Sequence, residues 1–499
     1  MDWNLSDQYD HKALARYFAT TVLMVAAFKV SHGFAALALP VLTIGSLLNR
    51  KAVALLYWVL FLTVSSTGNT MVFSRNAVTV LTARVVLVML TFLVAGKVFS
   101  SRSSRSMMPI WGVVPYILWE CVSSAQGYAP IISYLKLFLF CCIFLAMFGV
   151  ANEVNASTRV NAKILRSSIL SIVMLMVLGS LALVPFGIGQ MSGEDAMEAI
   201  KSGEAVSLFC GMCSHSQAFG PMMGILGTFI FADLVFSIKK WDKLYVLLLL
   251  ACPLLCVKSS SRTGMGTMIA GFGMVTFMFM QAKGIRHNWK GKVCSVMTLV
   301  AVAAGVAVVA VPQMRDRVTK FALKTTAAKG ERDSVTVENM FSSRQVKIDE
   351  ALAGFRKKPL LGNGFQVSEE IGMQRRSGLL SYLAAPIEKG VWVYAILEEG
   401  GVIGMALFCG WLIFLFPTLY KRGAYVMAAT FFAFMMANVG EFCVFAMTYV
   451  GGFYWTLTFA AGTLDVQRLK NQGEKFIWEV PIEQVIAEVG MDEWVRVRG

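Results

Sequence analysis

The chain has 499 residues, of which 57% are hydrophobic and 15% charged. Soluble proteins carry about 25% charged residues, so a body of this size lacks the charge to coat itself in water, and a soluble multidomain enzyme is excluded. The formal net charge of +15 would suggest nucleic acid for a soluble protein, but in a membrane protein it marks loops rich in Lys and Arg on one side.

Apolar runs long enough to cross about 30 Å of hydrocarbon recur along the chain. The first, 13–30, follows Asp7, Asp10, His11 and Lys12. It is read as a span rather than a signal peptide, because no small-residue cleavage site follows and the next apolar run begins almost at once. Further spans are predicted near 33–48, 53–68, 77–96, 109–125, 131–151, 169–188, 217–237, 243–258, 264–282, 293–311, 391–418, 424–440 and 442–462. Several are short, so the expectation is an all-α, polytopic transmembrane helix bundle of twelve to fourteen spans, a range read from the same sequence.

With a cytoplasmic N-terminus, the cytoplasmic side collects nineteen Lys and Arg, among them Arg50, Lys97, Lys163, Arg166, Lys239, Arg286 and Lys421. The short outside loops hold four: Arg75, Lys201, Lys258 and Arg262. That asymmetry predicts both termini in the cytoplasm. The chain then divides into spans and short loops over 1–311, a long outside loop over 312–390, the last spans over 391–463 and a cytoplasmic tail over 464–499.

The 79-residue loop carries fourteen Lys and Arg against nine Asp and Glu. Loops of this length translocate regardless of charge, and a long loop between closely spaced helices is usually functional. Within it, Val346, Ile348, Ala351, Leu352 and Phe355 have helical spacing, which predicts a surface helix over 345–355 lying on the membrane domain. The tail alternates Phe476, Ile477, Trp478, Val480, Ile482, Val485 and Ile486 with charges, as in a short amphipathic helix.

Of the ten cysteines, eight lie in or at the ends of apolar runs and pack as small hydrophobes. Cys210 and Cys213 form a C-x-x-C outside the spans. No second pair or histidine set completes a zinc site, which leaves a disulfide or plain thiols. In the spans, Arg84, Glu120 and Lys136 are costly in hydrocarbon and are expected to face the bundle interior, water or an interface.

The predicted topology gathers four polar segments on the outer face. They are Cys213-Ser-His215-Ser-Gln-Ala-Phe-Gly220, Lys258-Ser-Ser-Ser-Arg262-Thr-Gly264, the long loop, and the start of the span at 391. Hydroxyls, N–H groups at a helix start and an arginine together suit an anion. The plainer reading of Arg262 is an arginine snorkelling to headgroups, and that of His215 is a helix cap or loop residue. Gly362 and Gly364 permit a tight turn, but no Walker motif or dinucleotide fingerprint occurs, so a soluble nucleotide is not expected.

The ordered set Gly211-x-x-x-His215-x-x-x-x-Gly220 and Ser261-Arg262-Thr263-Gly264 resembles the O-antigen ligase and polymerase superfamily. So do Ser343-Arg344, Ala351-x-x-x-Phe355, Pro359-Leu-Leu-Gly362-x-Gly-Phe365 and Glu399-Gly-Gly401-Val-Ile-Gly404. The resemblance covers roughly residues 200–410 and includes the position of the long loop. It implies a glycosyltransferase of the bacterial inner membrane that needs no metal and no cofactor. Its donor would be an oligosaccharide on undecaprenyl diphosphate, held at the periplasmic face. Membrane lipid is an expected partner, a chain-length regulator protein a further candidate, and nucleic acid is not expected. Glu388-Lys389-Gly390 stands where many ligases carry a histidine, which implies a polymerase of exopolysaccharide or O-antigen type ahead of a ligase acting on lipid A–core.

In that chemistry an acceptor hydroxyl attacks the anomeric carbon and lipid diphosphate leaves. Arginine forks suit a diphosphate, which assigns Arg262 and Arg344, helped by Lys258 or Lys389. Glu388 is the first candidate base, with His215 and Glu399 behind it; its plainer reading is a surface ion pair with Lys389 or a nearby arginine. A transporter or flippase of polysaccharide precursors is the rival of another class. Such proteins usually show paired halves or interrupted helices, and the sequence displays neither. A third reading is a non-enzymatic assembly or sensor protein whose long loop binds a partner.

Overall fold

The computed structural model describes residues 9–67, 77–100, 112–157, 160–190, 209–238, 242–259, 261–282, 291, 345–368, 391–440, 443–446 and 450–471. The regular structure among these residues is helical, with one isolated antiparallel bridge between Gln190 and Phe209. The helices are α1 (His11–Val30), α2 (His32–Leu48), α3 (Ala52–Thr67), α4 (Ala77–Ser100), α5 (Val114–Ala125) and α6 (Pro130–Ala156). Next come α7 (Ala162–Phe186), which contains a π-turn at Leu175–Gly179, then α8 (Ser216–Phe236), α9 (Lys243–Lys258) and α10 (Arg262–Gln281). The last four are α11 (Gln345–Lys357), α12 (Trp392–Lys421), α13 (Tyr425–Ala437) and α14 (Val450–Asn471).

Six of these helices (α1, α6, α7, α8, α10 and α12) are long and apolar enough to cross a membrane. The expected span at 293–311 and the amphipathic tail lie outside the described residues. Three expectations shift. The span expected at 109–125 begins as a helix only at Val114, with a proline in its first turn, where the missing N–H costs nothing. The span expected at 442–462 begins as a helix at Val450. Residues 443–446 are instead a buried turn, held by Cys443 N–H donating to Asn438 Oδ1 (2.6 Å) and Trp455 Nε1–H donating to Val444 O (2.7 Å). Third, α12 is interrupted at Gly401 (φ 65, ψ −164), although the sequence shows no interrupted helix.

Burial separates core helices from lipid-facing ones. α8 is enclosed over its whole apolar window. It packs on α9, α10 and α13, and small residues allow the approach. A Cβ at Gly220 would meet Ser261, one at Gly264 would meet the Gly220 backbone, and one at Gly271 would meet Thr228. α3 is likewise buried on all sides from Leu55 to Leu62. By contrast Leu23, Val30, Leu37, Val41 and Ile413 are exposed, and an apolar exterior over a satisfied helical backbone fits hydrocarbon rather than water.

One end of the bundle carries a buried ion network. Arg166 at the start of α7 pairs with Asp233 at the end of α8 (Nε to Oδ2, 3.1 Å). The Tyr245 hydroxyl at the start of α9 donates to the same carboxylate. Nearby, Ser167 bonds the Asp10 backbone, Arg468 donates to Gly423 O, and Lys470 donates to Asn155 O (2.8 Å). The candidate site lies at the opposite helix ends.

Candidate functional site

Two helices begin side by side at that end. α8 starts after His215, whose Nδ1 accepts the Gln217 N–H (3.1 Å). α10 starts after Ser261, whose Oγ accepts the Gly264 N–H (3.1 Å). The start of α10 touches the second turn of α8, because a Cβ on Gly220 would lie 2.1 Å from Ser261 Cβ and one on Gly264 would lie 2.4 Å from Gly220 C. Only glycine permits this approach. Two neighbouring helix N-termini add their partial positive charges, and Arg262 stands at the first position of one of them, half-buried. Lys258, the last residue of α9, is exposed close by along the chain. The Ser259 hydroxyl turns away to donate to Cys256 O (2.7 Å).

The structure thus brings His215, Lys258 and Arg262 to one place. Arg344, Glu388 and Lys389 lie outside the described residues. His215 is a cap, the plainer of the two sequence readings, which fixes its Nδ1 as an acceptor. The α8–α10 pair connects to the start of α12 through the 438–440 turn. A Cβ at Gly440 would strike Thr263 Oγ1 at 2.1 Å, and Trp392 N–H donates to Asn438 O (3.2 Å).

Glu399 belongs to a second, buried cluster at the break in α12. Gly400 and Gly401 open the helix there, and the segment after α11 fills the gap. Asn363 N–H donates to Glu398 O (2.8 Å), Gly364 N–H to Glu399 O (3.1 Å), and Val402 N–H to Pro359 O (2.8 Å). Trp119 Nε1–H takes the Gly400 carbonyl (2.7 Å), and Ser123 Oγ–H donates to Glu399 O. A break at this depth would otherwise strand backbone groups; here each named carbonyl has a donor. The glycines of the Pro359–Phe365 motif are explained by contact. A Cβ on Gly362 would lie 2.0 Å from Glu399 O. Gly362 and Gly364 therefore serve backbone docking.

The same segment is bound to the α5–α6 hairpin. Tyr128 N–H donates to Asn363 O (3.0 Å), Ser133 Oγ–H to Phe365 O (2.8 Å) and Lys136 Nζ to Gln366 O (2.9 Å). Lys136, costly in hydrocarbon, is thereby buried against a carbonyl. The side chains of Glu399 and Glu120 are both fully enclosed. A Cβ on Gly400 would lie 2.4 Å from Glu120 Oε1, and both carboxyl groups act electrostatically on the Tyr116 hydroxyl. Phe445 from the 443–446 turn stacks on Tyr116 (5.2 Å, 16°) and also meets Phe365 (5.4 Å). The sequence flagged Glu120 and Lys136 as expensive without assigning a role, and the only signal for their place was that expense.

Cys210 and Cys213 are buried thiols in the turn before His215. Burial, and next the neighbouring Cys210, push the Cys213 thiol well above its ordinary value. No protein-family model matches the chain, and no curated protein matches it.

Proposed function

We propose that the protein is a polysaccharide polymerase of the bacterial inner membrane, which transfers an oligosaccharide from undecaprenyl diphosphate onto another repeat unit. The observation that carries this reading is the packing of the start of α10 against the second turn of α8, which sets two helix N-termini as neighbours with Arg262 at one and Lys258 beside it. Fixed N–H dipoles and a guanidinium at a helix start suit the charge that develops on a leaving diphosphate. In this reading the site end faces the periplasm, both termini are cytoplasmic, and the lipid tail rests against the apolar exterior. His215 and Glu399 remain behind Glu388 as base candidates, and Arg344 and Lys389 are the further cations.

Transfer to lipid A–core is the alternative outcome of the same chemistry. The α12 break favours a second reading, transport of a polysaccharide precursor, since interrupted helices build transporter sites. The freed carbonyls of Glu398, Glu399 and Gly400 are, however, taken by Asn363, Gly364, Ser123 and Trp119, so the backbone of that break is occupied by the protein itself.

The test incubates purified protein with synthetic undecaprenyl-diphosphate oligosaccharide, with and without lipid A–core. Longer lipid-linked glycan supports polymerase, and glycan on the core supports ligase. Arg262→Lys keeps the charge but loses the fork. If polymer length and yield are unchanged in that variant, the assignment of Arg262 fails.

A further inference from the structure

The Cys210–Cys213 pair has no part in glycan transfer, yet it occupies a built turn beside the proposed site. Cys213 N–H donates to Cys210 O (2.8 Å), which closes a reverse turn, and Gly211 within it takes φ 51. The turn is fastened at its base, where Cys210 N–H and Gly211 N–H both donate to Gly189 O (2.7 and 3.1 Å). Met212 N–H donates to Ser180 Oγ (3.1 Å), and Phe209 bridges Gln190. The first and fourth residues of such a turn have Cα atoms within about 7 Å, and a disulfide asks for about 4.4–6.8 Å. The contacts of the thiols include Cys210 Sγ to Gly189 O (3.1 Å) and Cys213 Sγ to Met222 Sδ (3.5 Å).

We propose that Cys210 and Cys213 are joined by a disulfide inside this turn, made while the segment is still open and then enclosed, which clamps the turn against the His215 cap of α8. The inference rests on the outward placement of this end of the bundle, where disulfides form and persist. The oxidant is a disulfide-donor protein. One cysteine thiolate attacks a donor sulfur and expels a donor thiolate, and the second then attacks the mixed disulfide and expels the other. Two electrons and two protons pass to the donor, which leaves as a dithiol. Both cysteines are fully enclosed in the folded chain, so exchange precedes packing, and the finished bridge is shielded from reduction.

The experiment uses the whole protein purified without reductant. It is unfolded in the presence of a first alkylating reagent, then reduced and treated with a second, and each cysteine is read by peptide mass spectrometry. The bridge predicts that, of the ten cysteines, Cys210 and Cys213 carry only the second label, and that Cys210→Ser moves Cys213 to the first. First label on both in the native sequence overturns the bridge. A parallel Ile188→Cys variant, at an exposed position of the same end, is treated in intact spheroplasts with a membrane-impermeant maleimide. If it labels while the pair is reduced, the bridge fails and the outward orientation stands; if it stays unlabelled, the orientation has failed with it.

Discussion

Gly364 N–H donates to the carbonyl of Glu399 at 3.1 Å, so a residue of the long polar segment closes a break in an apolar helix. The contact joins residues 35 positions apart and fixes how the segment after α11 enters the bundle. α11 itself packs on α12, with Ile348 and Ala351 buried and Gly354 against the Glu398 side chain.

Glycine at 401 and 362 is required by both conformation and space. Gly401 sits at φ 65 and ψ −164, and a Cβ there would lie 2.4 Å from Leu360 O. Gly401→Ala or Gly362→Ala is expected to cost about 3 kcal/mol or more, from backbone strain plus overpacking. Gly266→Ala, on an exposed helical position with nothing near its Cβ, is expected to gain up to about 1 kcal/mol. Thermal unfolding midpoints in detergent check the contrast, and equal midpoints would refute the docking role.

Arg166 and Asp233 form a buried pair, with side-chain exposures of 11% and 0%. Removing one partner leaves the other charge unpaired, so Asp233→Ala is expected to destabilise by about 3–5 kcal/mol. Arg166→Met combined with Asp233→Leu is expected to recover most of that loss. A double-mutant cycle on unfolding free energy measures the coupling.

His215 caps α8 through Nδ1. His215→Ala is expected to lower stability by about 1 kcal/mol, whereas His215→Asn, which keeps an acceptor, changes it little. Polymer synthesis then separates the roles. If His215→Asn makes normal polymer, His215 acts as a cap alone; if polymer is lost at unchanged stability, the imidazole takes part in the chemistry.

In protein unfolded, reduced and refolded in reductant, burial holds the Cys213 thiol protonated above its ordinary range. Its folded value is raised, so its contribution is present below the unfolded thiol value of about 8.5 and is lost as pH rises past it. The unfolding midpoint of the reduced protein is expected to fall from about pH 8.5 upward, less steeply in Cys213→Ala. Alkylation of Cys213 at pH 8 is expected to be slow in the folded protein and fast after unfolding.

The membrane-spanning helices were readable because hydrocarbon thickness imposes a length and a composition on each one separately. Runs such as those of α6, α8 and α10 carry that information within about 20 residues, and the spacing of Ile348, Ala351 and Phe355 marked α11 in the same local way. The candidate site was readable in part. Ser261 and His215 stand at helix starts because their side chains cap locally, but that the two starts are neighbours depends on Gly220 and Gly264 meeting across different helices. Tertiary structure alone decided that α12 breaks at Gly401, that residues 359–365 fill the break, and that Glu120 and Glu399 lie near one Tyr116 hydroxyl. A buried carbonyl must find a donor wherever the fold supplies one. For Glu399 and Gly400 those donors are Gly364, Ser123 and Trp119, residues whose distance along the chain hides the pairing until the helices are packed.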